Sequence, residues 1–329
     1  MLPLTRVTII VEWYNMTYAE AARARHLLES VREQATETLR LAGTSGQRPA
    51  VELIIAHDAD RVCAADIESA LGGALRTDSA MSLQLLAVRN ATYCRLKNAA
   101  AQIATADVVV FLDCDVIPEP GWLETITSPF ADPSVDVVVG NTYVDCEDGK
   151  TYSRAMALTW MFPLRDGRGL RDAWGRSSVF YANNLAVRRC VFVSNPFPDT
   201  PGLTHHPATL WALHLLGEHT AIWYAPARAS HPPPNGPVHF YQRAVAGGRA
   251  RAITAQERGL RRWLVWGRAD LEQVAWGWKR LLTQGRQVGL RAWQVPAALC
   301  MSVAYVLCFY LGSVATDTFP AYMRRRFVM

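Results

Sequence analysis

Asp113-Cys114-Asp115 closes an apolar run, residues 108–112, and puts two hard-metal ligands at one strand end. Side chains two apart on an extended backbone point to the same side. Both carboxylates can therefore face one cation or one diphosphate while Cys114 turns into the fold. Paired carboxylate oxygens suit Mg²⁺ or Mn²⁺, so the residues outline a divalent-cation site. Two further apolar runs end in polar clusters: residues 7–11 lead into Glu12-Trp13-Tyr14-Asn15, and residues 51–56 lead into His57-Asp58-Ala59-Asp60.

The elements that must position these clusters follow from periodicity. Residues 7–11, 51–56, 107–112 and 135–139 predict four strands, with helices over 18–41 and 91–104 and a breaker stretch over 43–48. Strands alternating with helices give an α/β fold with a mostly parallel sheet covered on both faces. Ligands of such sheets bind beyond the carboxyl ends of the strands, where the three polar clusters stand. The alternative for each cluster is an ordinary strand exit with a helix-capping carboxylate. After residue 151 the alternation weakens into loops over 165–175, a strand-like 179–181, a helix over 208–216, a strand over 221–224 and a rigid proline loop over 231–237. That half is expected to face the substrate.

Of 329 residues, half are hydrophobic and 19% are charged, which indicates a globular body. The seven cysteines stand singly, without a CxxC pair, so neither a disulfide framework nor a zinc ribbon is expected, and the body suits a reducing cytoplasm. Residues 1–6 lack an apolar h-region, so no secretory signal peptide is expected. The net charge of +5 is unevenly spread: residues 240–329 hold 14 Lys/Arg against 4 Asp/Glu, leaving 20 against 25 elsewhere. That segment also carries five of the eleven tryptophans, an Arg/Trp mixture that suits an anionic membrane surface and is too apolar for nucleic acid. Residues 295–315 carry no charge and approach the ~20 residues needed to cross hydrocarbon. A single crossing from a cytoplasmic body would strand Arg324, Arg325 and Arg326 outside, against the positive-inside tendency. An in-plane or re-entrant helix avoids that conflict, and a buried helix of a soluble subdomain is the other reading. Residues 261–282 predict a basic, Trp-bearing helix on the headgroups.

Taken in order and spacing, these residues resemble the family 2 glycosyltransferases with the GT-A (Rossmann-like) fold, over about residues 5 to 235. The first strand with Asn15 is similar to that family's opening strand, although Glu12-Trp13 stands where Pro-Thr is commoner. Asp58 matches the second of a paired Asp that contacts the nucleotide base, and His57 replaces the first. Lys97-Asn98-Ala99-Ala100 is similar to the stretch before the metal strand, and Asp113-Cys114-Asp115 to the DxD motif. Gly140, Asn183-Asn184 and Arg188-Arg189 also fall where similar enzymes carry such residues. The resemblance implies a donor half over 5–140 and an acceptor half over 141–239, and the composition of 240–329 adds a helical membrane-associated segment. The resemblance also implies a sugar moved from a nucleoside diphosphate donor, UDP favoured over GDP, to a glycan or lipid-linked acceptor at the cytoplasmic membrane face. The expected donor contacts are Glu12, Asn15, Asp58, Lys97, Asn98, Asp113 and Asn184. Asp115 is the expected direct ligand of Mg²⁺ or Mn²⁺, with Asp113 nearer the ribose or second shell and His231 beside metal or diphosphate; the other reading of His231 is a solvent-facing loop residue.

The match breaks where inverting members carry a carboxylate base, because the chain reads Gly202-Leu203-Thr204-His205-His206-Pro207-Ala208. A histidine of pKa about 6.5 can take a proton at cytoplasmic pH, so His205 or His206 is one candidate base. Asp199 is another, through a shifted loop. Without any base the chain would be a degenerate module that binds nucleotide sugar or a partner transferase without turnover. A nucleotidyltransferase would begin with a Gly-rich loop after the first strand, and this chain has none there.

Overall fold

Val108, Val109, Val110, Phe111 and Leu112 are all fully buried, and a β-rich run covered on both faces belongs in the middle of a sheet. The computed structural model places it there, and describes residues 6–14, 20–42, 50–75, 81–159, 171–172, 174–177, 180–199, 206–257, 262–319, 321 and 323. Its strands are β1 (Arg6–Glu12), β2 (Ala50–Asp58), β3 (Met81–Val88), β4 (Val108–Asp113), β5 (Ile117–Pro118), β6 (Val137–Val144), β7 (Asn184–Arg188) and β8 (Ile222–His231). They form one eight-stranded sheet in the order β3-β2-β1-β4-β7-β6-β8-β5. The run from β3 to β4 is parallel, whereas β7 is antiparallel to both β4 and β6, and β5 to β8.

Register levels the functional rim. Glu12 stands opposite Ala56 on one side and Asp113 on the other, so β1 and β4 end together while β2 runs two residues further to Asp58. The helices of the first half are α1 (Ala21–Ala42), α2 (Ala64–Leu71), α3 (Tyr93–Ile103), α4 (Trp122–Thr127), α5 (Thr151–Thr159), α6 (Arg189–Ser194) and α7 (His206–Gly217). Alternate strand residues such as Ile9, Leu53 and Val110 share a core with Leu27 and Leu28 of α1 and Ile67 of α2. Glu12 and Asp113 belong to the opposite alternation, the face that α3 serves. Thr92 caps α3, its Oγ1 accepting from the Arg95 amide at 3.1 Å.

The four strands expected from residues 7–11, 51–56, 107–112 and 135–139 are β1, β2, β4 and β6 with shifted ends. Several elements were not foreseen, among them β3, β5, α2, α4, α5 and α6. β3 is an edge strand whose exposed alternate positions weaken its apolar signal, and α2 is a short helix of two turns. Phe180 and Tyr181 lie outside any strand, and the strand of that region is β7. β8 also runs on to His231, so the expected strand over 221–224 is longer than its apolar core.

The chain divides into two compact units. One comprises Met1–Thr142, Gly167–Asp199 and Pro207–His231 and contains the rim. The other comprises Tyr143–Asp166, Thr200–His206 and Pro232–Met329, including α5 and the helices α8 (Gly236–Glu257), α9 (Arg262–Gln284) and α10 (Val295–Thr318). Its own core joins Ala155 and Leu158 of α5 to Leu281, Leu290 and Ala298, so α5 goes with the C-terminal helices despite its place in the sequence.

Candidate functional site

Lys97 organises the rim from beneath. Its side chain is fully buried, and Nζ donates to Asp113 Oδ1 at 2.7 Å, to the Tyr93 hydroxyl at 2.6 Å and to the Ala182 carbonyl at 2.8 Å. Tyr93 donates in turn to Asp113 Oδ1 at 2.7 Å, closing a three-membered network. Tyr93 and Lys97 are four apart on α3 and so share a face. Burial, then the charges of Asp113 and Glu12, hold the Tyr93 phenol well above its ordinary pKa, so it remains a donor.

Glu12, fully buried at the end of β1, completes the charge set, and its Oε2 accepts from the Tyr14 amide at 2.6 Å. Burial first, and then the neighbouring Asp113 and Asp115, raise its carboxyl well above the ordinary 4.5, against the opposing pull of Lys97. Asp113 and Asp115 thus act on Glu12 against the one ammonium, Lys97, which pairs with Asp113. Such a net-negative, all-oxygen set fits a hard divalent cation that completes its shell with phosphate oxygens, for which one or two protein carboxylates suffice. Among the described residues no cluster of three or more His, Cys, Asp or Glu could enclose an ion unaided.

The raised Glu12 carboxyl has a pH signature in the metal-free protein. A group whose folded pKa is raised contributes its stability below the unfolded value and loses it as pH rises through the folded one. In EDTA, melting temperature is expected to fall as pH climbs from about 4.5 through that raised value, and Glu12→Gln should remove this part of the slope. A variant with the wild-type profile would show that Glu12 ionises as freely as an exposed carboxylate.

Asp115 sits one turn beyond, where the Val116 amide donates to the Asp113 carbonyl at 3.0 Å. Arg23 of α1 fastens this turn: Nε donates to the Asp115 carbonyl at 2.6 Å, and Nη2 to the Ser230 carbonyl at 2.8 Å. One guanidinium therefore ties the DxD turn to the end of β8. The pairing of Ile117 with Ser230 sets the His231 backbone beside Val116, and His231 is buried, not a solvent-facing loop residue. Cys114 turns into the other face of the sheet, where burial keeps its thiol protonated.

Asp58, at the end of β2, accepts from the Asp60 amide at 3.2 Å and meets Arg61 Nε at 3.4 Å, while Arg61 lies 5.0 Å over the Tyr14 ring. Lys97, Asn98 and Asn184 of the expected donor set, and the neighbouring Arg188 and Arg189, bond to protein groups. Lys97 is enclosed as described. Asn98 clasps Phe197 through both backbone groups, at 2.8 and 3.1 Å. Asn184 accepts from Trp122 Nε1 at 2.8 Å and donates to the Ala227 carbonyl at 2.9 Å, and a Cβ at Gly140 would overlap its amide. Arg188 donates to the carbonyls of Phe130, Asp132 and Val135, and Arg189 to those of Ala101 and Gln102. Asp199 is exposed, with Oδ1 accepting from Thr92 Oγ1 at 2.6 Å. Asn15 and His205 lie outside the described residues, as does the side chain of His206 at the start of α7.

Sequence reasoning missed Tyr93 and Arg23. The four-residue spacing to Lys97 was a usable signal for Tyr93. Nothing local distinguishes Arg23 from the other arginines of α1, because its partners are 92 and 207 residues away.

The family model described as Glycosyl transferase family 2 matches residues 14–192. A glucosyl-dolichyl phosphate glucuronosyltransferase of Haloferax volcanii is 30% identical over 113 residues, 34% of this chain and 35% of the relative. A pre-mycofactocin glycosyltransferase of Mycobacterium tuberculosis is 33% identical over 93 residues, 28% of this chain and 19% of the relative. The chain thus matches about a third or less of the length of these relatives. Among solved structures, the mannosyltransferase PcManGT of Pyrobaculum calidifontis, in complex with GDP-Man and Mn²⁺, aligns over 96% of this chain and 88% of its own with a TM-score of 0.55 and 17% identity. That likeness is one of fold.

Proposed function

Since this chain belongs to glycosyl transferase family 2, we propose that it moves a sugar from a nucleoside diphosphate donor, a UDP-sugar, to a glycan or lipid-linked acceptor at the cytoplasmic membrane face, with inversion and with Mg²⁺ or Mn²⁺. The carboxylate set of Glu12, Asp113 and Asp115 with Lys97, at the level ends of β1 and β4, carries this reading. Asp115 would hold the cation, with His231 beside it. Asp113, anchored by Lys97 and Tyr93, would meet the ribose or the second shell. A bound cation supplies positive charge against the diphosphate as its bond to the sugar breaks. Asp58 would meet the nucleotide base. His205, His206 and Asp199 are the candidates for taking the acceptor's proton.

The lipid-linked acceptor is supported by the basic, apolar C-terminal segment and by the Haloferax relative, whose name specifies a dolichyl phosphate substrate. The direct test is a thermal-shift panel of nucleotide sugars with Mn²⁺ or with EDTA, followed by transfer assays on the stabilising donor. A UDP-sugar should raise the melting temperature only with metal. No stabilisation by any donor would sink the reading, and binding without transfer would identify the degenerate module.

Arg23 offers a sharper probe of the same geometry. Arg23→Met should weaken Mn²⁺ binding about tenfold, the usual effect of losing a group that orients a ligand. Arg23→Lys should restore part of it, because one ammonium can reach one of the two carbonyls. Titration of Mn²⁺ by electron paramagnetic resonance reads the effect without turnover, and unchanged affinity in Arg23→Met would remove its positioning role.

A further inference from the structure

Helix α10 is built inside out for a protein surrounded by water. Its exposed positions are Pro296, Ala297, Cys300, Leu307, Tyr310, Leu311, Val314 and Thr318, a stripe at helical spacing whose middle is apolar, with Leu307 56% and Leu311 60% exposed. Its buried positions include Ser302, Gly312, Ser313 and Thr316. Over the middle of the helix, Tyr305 apart, small and hydroxylated residues face protein and bulky apolar ones face out. That polarity matches lipid contact, where small residues make the helix–helix seam.

The seam is with α8. A Cβ at Gly248 or Gly312 would overlap the backbone of the facing helix, so the two helices touch main chain to main chain. Ser313 Oγ donates to the Gly248 carbonyl at 2.9 Å, and Arg251 donates to Ser313 Oγ at 2.9 Å while lying 4.5 Å over the Phe309 ring. Arg249 of α8 is buried as well. The middle of α10 is therefore bound to a helix carrying arginines. A crossing would draw those arginines toward the bilayer centre, where charge is costly.

We propose that α10 is a monotopic anchor. It lies in the membrane plane with the Leu307–Leu311 stripe among the acyl chains and α8 on the cytoplasmic side. α9 flanks it in the same unit with exposed Leu271, Trp276 and Leu282 and a guanidinium, Arg280, stacked 4.5 Å over Trp276, a combination suited to the headgroup layer. The occupant is a bilayer rich in anionic headgroups, as the 14 basic against 4 acidic residues of 240–329 require. This rests on the membrane-face reading above and adds orientation: the helix lies in the membrane plane and does not cross.

Flotation of the full-length protein with phosphatidylglycerol-rich vesicles tests the anchor, with donor-induced thermal shifts measured on the same samples. Wild type should float and should be released by alkaline carbonate. Leu307→Asn combined with Leu311→Asn should lower the bound fraction about tenfold at an unchanged melting temperature, since both side chains already face outward. Equal flotation of wild type and double variant overturns the proposal. So does retention after carbonate, which marks a crossing helix, or a wild type that stays off the vesicles, whether as a monomer or as a dimer that covers the stripe with a second copy. Flotation as expected with no donor-induced shift upholds the anchor and counts against the transferase reading alone.

Discussion

Replacing Lys97 with methionine is expected to destabilise the sheet unit by about 3–5 kcal/mol, the cost of leaving one member of a buried ion pair without its partner. Lys97 has no exposed side-chain surface, and the carboxylate it neutralises, Asp113, is 7% exposed, so solvent cannot take over its role. The loss falls on a crowded charge set: Glu12 and Asp115 remain nearby, and the Tyr93 hydroxyl loses the ammonium it accepts from. A lowering of the melting temperature by about 6–20 °C should follow for a unit of this size. The double variant Lys97→Met with Asp113→Asn should recover part of that loss, because it removes the uncompensated charge as well as its partner. A Lys97→Met protein that melts with wild type, yet fails to bind donor, would move Lys97 from the framework to the donor contacts.

Asp115→Asn is expected to do the reverse, abolishing chemistry while sparing the fold. With the cation's direct ligand gone, kcat/KM should fall about a thousandfold, a loss in keeping with removal of leaving-group charge stabilisation. The melting temperature in EDTA should hold or rise, since Asp115 adds to the charge that lifts the Glu12 carboxyl. Binding of Mn²⁺, followed by electron paramagnetic resonance, should be lost in step with activity. Retention of full Mn²⁺ affinity in Asp115→Asn would remove it as the ligand. Two residues eighteen positions apart in the sequence, Lys97 and Asp115, should thus split stability from metal binding.

Family, sheet and rim were legible in the linear chain, and the reason is local. Alternation along residues 108–113 fixes the side that Asp113 takes, an apolar run with no polar face must be central in a sheet, and Asp115 follows in the turn beyond the strand. Glu12 and Asp113 end adjacent parallel strands, so the carboxylate rim follows once the strand order is known. The antiparallel half was less legible. β7 and β8 are short on apolar residues, and β7 was obscured by Asn183-Asn184, whose amides read as loop or ligand chemistry.

What the sequence by itself determined is the kind of chemistry: paired carboxylates at a strand end, and a basic, tryptophan-bearing C-terminal segment with one long uncharged helix. Tertiary structure alone decided which polar residues are spent holding the rim. Lys97, Asn98 and Asn184 look like ligand contacts in one dimension, and each bonds to protein groups because a buried donor or acceptor must be satisfied by whatever the fold brings next to it. Arg23 acquires its role only when Asp115 and Ser230 arrive within reach of one guanidinium. The same holds for α10. An uncharged stretch fixes its apolar character, but only the close seam with α8 sets which side is left outward, because small residues let two backbones meet and drive the large ones away from the contact.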